Sequence, residues 1–290
     1  MNIFISGSSG FVGKNITKLN PQSEFYCYNR KNNIKINQDF IFHFAGLAHD
    51  ISGKKKDDLY IRSNTDLTIN IFNEFLKSSA KVFVFLSTIK VLGQQENIIF
   101  ENSIPKHQSI YGLSKFNAEQ YLFSKKIPSD KKVYVLRSSL IYGEEPKGNL
   151  KLLKKYINFN LPWILSSFDN KISLLDIRNL NFILNKLCKS YKNIPSGIYN
   201  VSDDNPIKVK ELVRCLALAM EKKIFFCKIK KSYLNLIFSI GNTLKLPIVN
   251  NSSFYKLTKN TIVNISKIKK ELNTKLPYNT ENSINYYYRK

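Results

Sequence analysis

Asn2-Ile3-Phe4-Ile5-Ser6-Gly7-Ser8-Ser9-Gly10-Phe11-Val12-Gly13 opens the chain, and the fold turns on how it is read. The apolar run Asn2 to Ile5 predicts a short strand, Ser6 to Gly13 a tight turn, and Lys14 to Leu19 a helix. Glycines at 7, 10 and 13 let the backbone turn sharply and approach a pyrophosphate, whose charge would rest on the helix N-terminus. The spacing is G-x-x-G-x-x-G rather than G-x-G-x-x-G. A glycine pattern alone is a weak signal. With a strand before it and a helix after it, it points to dinucleotide binding rather than to a structural turn.

The same strand–helix alternation continues outward. Glu24 to Tyr28 reads as a second strand, followed by Asn29-Arg30-Lys31. An acidic residue usually holds the ribose 2′-hydroxyl near this strand end. None is present, and Arg30 with Lys31 would instead suit a 2′-phosphate, which tilts the expectation toward NADP over NAD. Phe40 to Phe44 reads as a strand opening into the small residues Ala45 and Gly46, which suit close cofactor approach. His43 is expected to be a hydrogen-bonded structural residue, and no His or carboxylate spacing suggests a metal. Leu59 to Ser79 carries Leu67, Ile71 and Phe75 at helical spacing. Strand Val82 to Leu86 ends in Ser87-Thr88, and Val133 to Leu136 leads into Arg137 to Gly143. This order predicts an α/β fold with a doubly wound, Rossmann-like parallel sheet.

Beyond Gly143 the texture changes. Helices are predicted over Asn149 to Phe159, over Asp176 to Tyr191 and around Val209 to Leu216, with a strand at Gly197 to Val201. The expected division is a dinucleotide-binding domain of residues 1–145 plus about 172–201, and a smaller substrate lobe of about 146–171 plus 202–290. Leu234 to Val249 is the nearest approach to a membrane-spanning run, but Asn235, Asn242, Lys245 and Pro247 interrupt it. It reads as a buried or lid helix, with a membrane-surface contact as the second reading.

Ser109-Ile110-Tyr111-Gly112-Leu113-Ser114-Lys115 places a tyrosine and a lysine at i and i+4, on one helix face that Ala118 and Leu122 extend toward a core. An ammonium beside a phenol favours the phenolate, so the pair is a candidate acid/base at neutral pH. Thr88, at the carboxyl end of a parallel strand, lies where open α/β sheets bind ligands and would bond the same substrate oxygen as Tyr111.

Bulk properties narrow the class further. Hydrophobic content of 43% and aromatic content of 13% exclude a disordered chain. The four cysteines form no C-x-x-C pair, which predicts reduced thiols and neither a zinc site nor a disulfide frame. The N-terminus runs straight into a strand with no basic region or cleavage site, so a cytoplasmic protein without a signal peptide is expected. The net charge of +24 is spread over the whole length in clusters such as Lys54-Lys55-Lys56 and Lys230-Lys231. It forms no arginine-rich, aromatic-interleaved stripe, so no nucleic-acid partner is expected. Attraction of an anionic substrate or membrane face is the functional alternative to plain solvation.

Taken jointly, Gly7-x-x-Gly10-x-x-Gly13, His43-Phe44-Ala45-Gly46, Asn64, Phe85-Leu86-Ser87-Thr88-Ile89-Lys90-Val91, Tyr111-x-x-x-Lys115, Arg137 to Gly143 and Lys256-Leu257-Thr258 resemble the extended short-chain dehydrogenase/reductases. The match is to their nucleotide-sugar epimerase/dehydratase branch, and within it to a bacterial subgroup close to UDP-glucose 4-epimerase found among polysaccharide and O-antigen enzymes. The resemblance implies Thr88, Tyr111 and Lys115 as catalytic residues, with the lysine tuning the tyrosine and bonding the nicotinamide ribose. It implies Gly7, Ser9, Gly10, Phe11, Val12, Gly13, Arg30, Phe44, Ala45, Gly46, Asn64, Leu86 and Ser87, with Tyr111 and Lys115, as contacts for NAD or NADP. It implies Thr88, Lys90, Asn149 and Lys171 as contacts for a nucleotide-sugar substrate. Lys171 stands where the family often has arginine and forfeits bidentate phosphate bonding. Ser138 replaces a usual proline. A homodimer is expected from the family.

The activity so implied is a nucleotide-sugar 4-epimerase. Arg30 keeps an NADPH-dependent reductase of a nucleotide-linked 4-keto-6-deoxy sugar as the alternative, because a reductase consumes NADPH. Ile89 stands where dehydratases of this family tend to place an Asp-Glu pair, and leaves no evident acid for eliminating water. A dinucleotide-sensing regulator is the alternative from a different class; such proteins commonly lose the tyrosine or lysine retained here.

Overall fold

The computed structural model describes residues 1–29, 32–48, 57–95, 98–106, 109–146, 148–243, 254 and 257–289. Arg30, Lys31 and Lys256 lie outside the described residues, so the readings placed on them have no structural counterpart here. Six strands form one parallel sheet: β1 (Asn2–Ser6), β2 (Glu24–Tyr28), β3 (Phe40–His43), β4 (Val82–Thr88), β5 (Lys132–Ser138) and β9 (Gly197–Val201), in the order β2-β1-β3-β4-β5-β9. Register runs Ile3 opposite Phe25 and Phe40, Phe40 opposite Val82, Val82 opposite Lys132, and Tyr134 opposite Gly197. The chain leaves β1 toward β2 on one side and returns as β3 on the other, which makes the β1/β3 boundary a topological switch point.

The central strands read as continuous apolar runs because the sheet is covered on both faces. Their alternate side chains go to opposite faces. Ile3, Ile5, Phe42, Val82, Val84, Tyr134 and Leu136 join one core with Leu180, Ile183 and Leu184 of helix α6 (Ile177–Lys189). Phe4, Ile41, Phe83, Phe85, Val133 and Val135 join the other, with Ile71, Phe72 and Phe75 of α3 (Leu67–Lys77) and Ala118 and Leu122 of α4 (Ile110–Ser124). Edge strand β2 keeps Glu24, Tyr26 and Cys27 exposed, as its lack of an outer neighbour dictates.

Two elements differ from the sequence expectation in instructive ways. Helix α1 spans Phe11–Leu19 and starts a turn early, so Gly13 lies inside its first turn rather than before it. The helix expected over Leu59 to Ser79 is α2 (Asp57–Tyr60), a π-helical stretch Ile61–Asp66 and then α3. π-Bulges of this kind recur at functional sites because one wide turn re-aims the side chains it carries.

Leu150, Ile157, Trp163, Leu165, Leu212, Val213, Leu216, Leu234, Phe238 and Ile284 form a separate third core. They come from α5 (Asn149–Asn158), the 163–165 segment, α7 (Val209–Ala219), α8 (Lys231–Thr243) and the C-terminal helix α10 (Thr280–Tyr288). Small ribbons tie this lobe to the sheet: β6 (Leu140–Tyr142) runs parallel to β8 (Leu174–Asp176), and β7 (Lys171–Ile172) runs antiparallel to β10 (Ile207–Lys208). Val263, Ile265, and Ile268 and Leu272 of α9 (Ser266–Leu272) join the first sheet core, although the sequence reading groups residues 202–290 with the lobe. Their apolar side chains complete the cover beside edge strand β9, a long-range packing that local periodicity does not reveal.

Candidate active site

The site grows from the carboxyl ends of β1, β3, β4 and β5. Gly7 has φ of +79°, a conformation that side-chain-bearing residues rarely adopt, and a Cβ there would meet the Ala45 backbone nitrogen at 2.6 Å. Gly13 is held to glycine by close approach alone, since its Cβ would sit 2.3 Å from the Gly7 carbonyl. The turn thus folds back on itself and against Phe44-Ala45, with Gly10 N–H bonding the Gly7 carbonyl at 3.0 Å and Phe44 N–H bonding the Ser6 carbonyl at 3.0 Å. No side chain caps α1, so its leading N–H groups are left for an anion. This cradle fits a dinucleotide pyrophosphate. Ser9 is exposed at its tip, Phe11 and Val12 open the helix, and the Phe11 ring approaches Gly143, just after β6.

A buried relay locks the cradle to the neighbouring strand. Ala45 N–H donates to the Ser6 hydroxyl at 3.3 Å, and that hydroxyl lies 2.5 Å from His43 Nδ1. His43 Nε2 lies 2.8 Å from the Thr68 hydroxyl, which donates to the Asn64 carbonyl at 2.6 Å. With the Thr68 proton committed, that hydroxyl can only accept from His43, so the bonding pattern places a proton on Nε2. His43 therefore holds β1, β3 and the π-helical stretch in one arrangement.

Asn64 is the clamp at the end of that relay. Its Oδ1 accepts from Leu47 N–H at 2.7 Å, and its Nδ2 donates to the Leu47 carbonyl at 3.1 Å and to the Ser114 hydroxyl at 2.9 Å. Thr65, next along the wide turn, donates to the Ser114 carbonyl at 2.8 Å. The side chain of Asn64 is wholly buried and fixes the 45–47 loop against α4. Asn64, expected from the sequence as a cofactor contact, thus has its amide bonded to Leu47 and Ser114 and sets the position of that loop.

On α4, Tyr111 and Lys115 share a face as their spacing requires, but the lysine does not go to the phenol. Lys115 Nζ donates to the Leu86 carbonyl at 3.0 Å and stands 4.4 Å over the Phe85 ring, beside Gly46 and Asn64. Burial pulls its pKa down to about 7, while the Glu119 carboxylate one turn on pushes it back up. Burial drives the Tyr111 phenol up to about 12; the Thr88 hydroxyl beside it lowers the value, and Tyr60 raises it further. The expected tuning charge from Lys115 is therefore not what moves the phenol in this arrangement. The group that favours its ionised form is Thr88. Lys90 completes the mouth, its ammonium 5.4 Å from the centre of the Tyr111 ring.

Behind these residues lies a network that sequence reasoning missed. Arg137, at the end of β5, donates from Nε and Nη2 to both oxygens of Glu119, the shortest bond being 2.7 Å, and both side chains are buried. Ser87 donates to the same carboxylate at 2.5 Å, and Arg137 Nη1 reaches the Glu101 carbonyl at 2.8 Å. The available signal was a glutamate on the core-facing stripe of α4 and an arginine ending an apolar strand, which buried positions tolerate only as partners. The Ser138 hydroxyl, where a proline is usual, donates to the Ser87 carbonyl at 3.1 Å.

Gly7, Gly10, Gly13, Phe44 and Ala45 are thus brought together; so are Gly46, Asn64, Leu86 and Lys115, and likewise Thr88, Lys90 and Tyr111. Asn149 and Lys171 are exposed on the lobe, opening α5 and β7, and among the described residues no hydrogen bond or ring contact ties them to the Tyr111 group.

Among curated proteins, a UDP-glucose 4-epimerase of Vibrio cholerae is 29% identical over 253 residues, covering 76% of each chain. An N-acetyl-alpha-D-glucosaminyl-diphospho-ditrans,octacis-undecaprenol 4-epimerase of Escherichia coli O157:H7 is 28% identical over 247 residues, covering 77% of this chain and 73% of that one. Among solved structures, MoeE5 in complex with UDP-glucose and NAD superposes with a TM-score of 0.75 over 98% of this chain and 96% of that one; at 15% identity this likeness is one of fold. A model of the NAD dependent epimerase/dehydratase family matches residues 3–201, well over half of the chain. With the glycine cradle, the tyrosine–lysine helix and the parallel sheet in the order that family requires, the chain belongs to the NAD dependent epimerase/dehydratase family, as an enzyme of the short-chain dehydrogenase/reductase type.

Proposed function

We propose that the protein is a nucleotide-sugar 4-epimerase acting on a UDP-hexose or a UDP-N-acetylhexosamine. The observation that carries this reading is the placing of the Thr88 hydroxyl against the Tyr111 phenol at the carboxyl end of β4, one helical turn from Lys115. The nicotinamide dinucleotide, when bound, supplies the acceptor and donor of hydride. Epimerisation leaves C4 at its starting oxidation level. The chain's own residues therefore need only remove a proton from the C4 oxygen and return one after the sugar presents its other face. Tyr111 does this and Thr88 bonds the same oxygen, lowering the phenol pKa as the proton leaves. Lys115 sits at Gly46 to bond the nicotinamide ribose. Gly7, Ser9, Gly10, Phe11, Val12, Gly13, Phe44, Ala45, Gly46, Asn64, Leu86 and Ser87 line the dinucleotide, and Lys90, Asn149 and Lys171 contact the substrate. Arg30, from the sequence alone, favours the 2′-phosphate of NADP over NAD.

The name of the Escherichia coli relative carries a polyprenyl diphosphate where the Vibrio cholerae relative's carries UDP. The same proton chemistry serves a sugar on either carrier, and a lipid-linked N-acetylhexosamine is the second reading. A reductase of a nucleotide-linked 4-keto-6-deoxy sugar rests on Arg30 alone. We further propose a cytoplasmic homodimer in surface-polysaccharide biosynthesis, built as a dinucleotide domain of 1–145 with about 172–201 and a substrate lobe of about 146–171 with 202–290. The separate third core supports that division, with 263–272 packed back onto the sheet. NMR of UDP-hexoses, UDP-N-acetylhexosamines and a polyprenyl-diphosphate N-acetylhexosamine, with and without NADPH, tests the reading. C4 inversion without added NADPH is expected. Turnover only when NADPH is consumed would replace the epimerase with the reductase.

A further inference from the structure

We propose that α8 docks the protein on an anionic phospholipid bilayer. The helix has two apolar faces. Leu234 and Phe238 are buried in the lobe core, Phe238 packing 4.8 Å from the Phe254 ring. Tyr233, Leu236, Ile237 and Ile240 also recur at i, i+3, i+4 and i+7, yet are 60%, 58%, 41% and 51% exposed. At about 100° per residue this second stripe is turned roughly a third of a revolution from the first, so the lobe cannot cover both. One apolar face suffices to hold the helix to the lobe. The other is free for a partner.

Charge selects that partner. Between Glu221 and Glu271 the sequence has no acidic residue and eleven lysines. Lys223, Lys228, Lys230 and Lys231 are exposed immediately before the stripe, with Phe225 71% exposed among them. A second copy of the chain would bring two such lysine clusters face to face, which costs association energy. A bilayer with anionic headgroups takes both features at once: the aliphatic stripe enters the headgroup–acyl boundary and the lysines meet the surface potential. No helix among the described residues is long and apolar enough to cross a membrane, and α8, at 13 residues, lies in the interface rather than spanning it. This docking goes beyond the epimerase reading and does not depend on which sugar the site takes.

Flotation of the full chain with phosphatidylcholine vesicles, with and without phosphatidylglycerol, tests it without any measurement of turnover. Flotation with the anionic vesicles alone, weakening as salt rises, is expected. Replacing Leu236→Ser and Ile240→Ser together should lower vesicle affinity by about tenfold or more, since each loses several buried methylene-sized groups. Both side chains already face water, so the melting temperature should not fall. Lys228→Gln with Lys230→Gln should weaken binding to anionic vesicles. Absence of flotation, or binding that the serine pair leaves unchanged, overturns the proposal. Light scattering that shows the serine pair dissociating a dimer, with no vesicle binding by the parent, overturns it in favour of a second copy.

Discussion

Thr88 and Glu119 show how far single side chains control the chemistry. The Thr88 hydroxyl lowers the Tyr111 phenol against the burial that raises it. Thr88→Val should therefore push the phenol further up, move the alkaline rise of kcat/KM to higher pH, and lower kcat by about 10- to 100-fold. A pH–rate profile that keeps its position would refute that role. Glu119 neutralises the buried Arg137 and accepts from Ser87. Glu119→Leu leaves that arginine uncompensated and should cost about 3–5 kcal/mol in urea unfolding; a loss below about 1 kcal/mol would show the pair to be dispensable. The Tyr111–Lys115 spacing is legible in the sequence because helix geometry fixes it. Where the lysine points is not, because its acceptor is the Leu86 carbonyl on a strand 29 residues away.

At the scale of elements, the glycine turn was readable because positive φ and close approach admit few residues. Its fine division was not: Gly10 and Gly13 look alike in the sequence, yet only one of them lies against the Gly7 carbonyl within a clash distance. A Cβ at Gly10 would stand 3.2 Å from that oxygen, and one at Gly13 only 2.3 Å. Gly13→Ala should abolish dinucleotide binding measured by fluorescence titration, and Gly10→Ala should weaken it much less. Equal losses at both positions would contradict the geometry. The π-helical stretch was invisible to periodicity, because residues 61–66 carry the same residue types an α-helix would. Within it, Asn64 and Thr65 bond the Leu47 loop and Ser114, partners distant in the sequence.

At the scale of the whole molecule, the doubly wound sheet was legible from its alternating strands and helices, while the joints between lobe and sheet were not. Asp203 makes one of those joints. It accepts from the Asp176 N–H at 2.8 Å, Asn179 at 2.7 Å, Tyr142 at 2.8 Å and Thr280 of the C-terminal helix at 2.9 Å. Burial nonetheless pushes its carboxyl up to about 6, these four donors opposing the shift. A folded pKa above the unfolded one means the native state holds that proton more tightly, so the stabilisation is full below about pH 4 and is lost as pH rises through about 6. A shift of about two units corresponds to about 3 kcal/mol. The stability of the parent relative to Asp203→Asn should fall by about that much between about pH 4 and 7 in urea unfolding, and a constant difference would refute the shift. These joints exist to hold sheet and lobe around one tyrosine. The most direct test of that is Tyr111→Phe, assayed by NMR for C4 inversion on whichever sugar the parent enzyme turns over. The account predicts a fall in kcat of about 100-fold or more with the melting temperature and dinucleotide affinity kept, and unchanged turnover would contradict it.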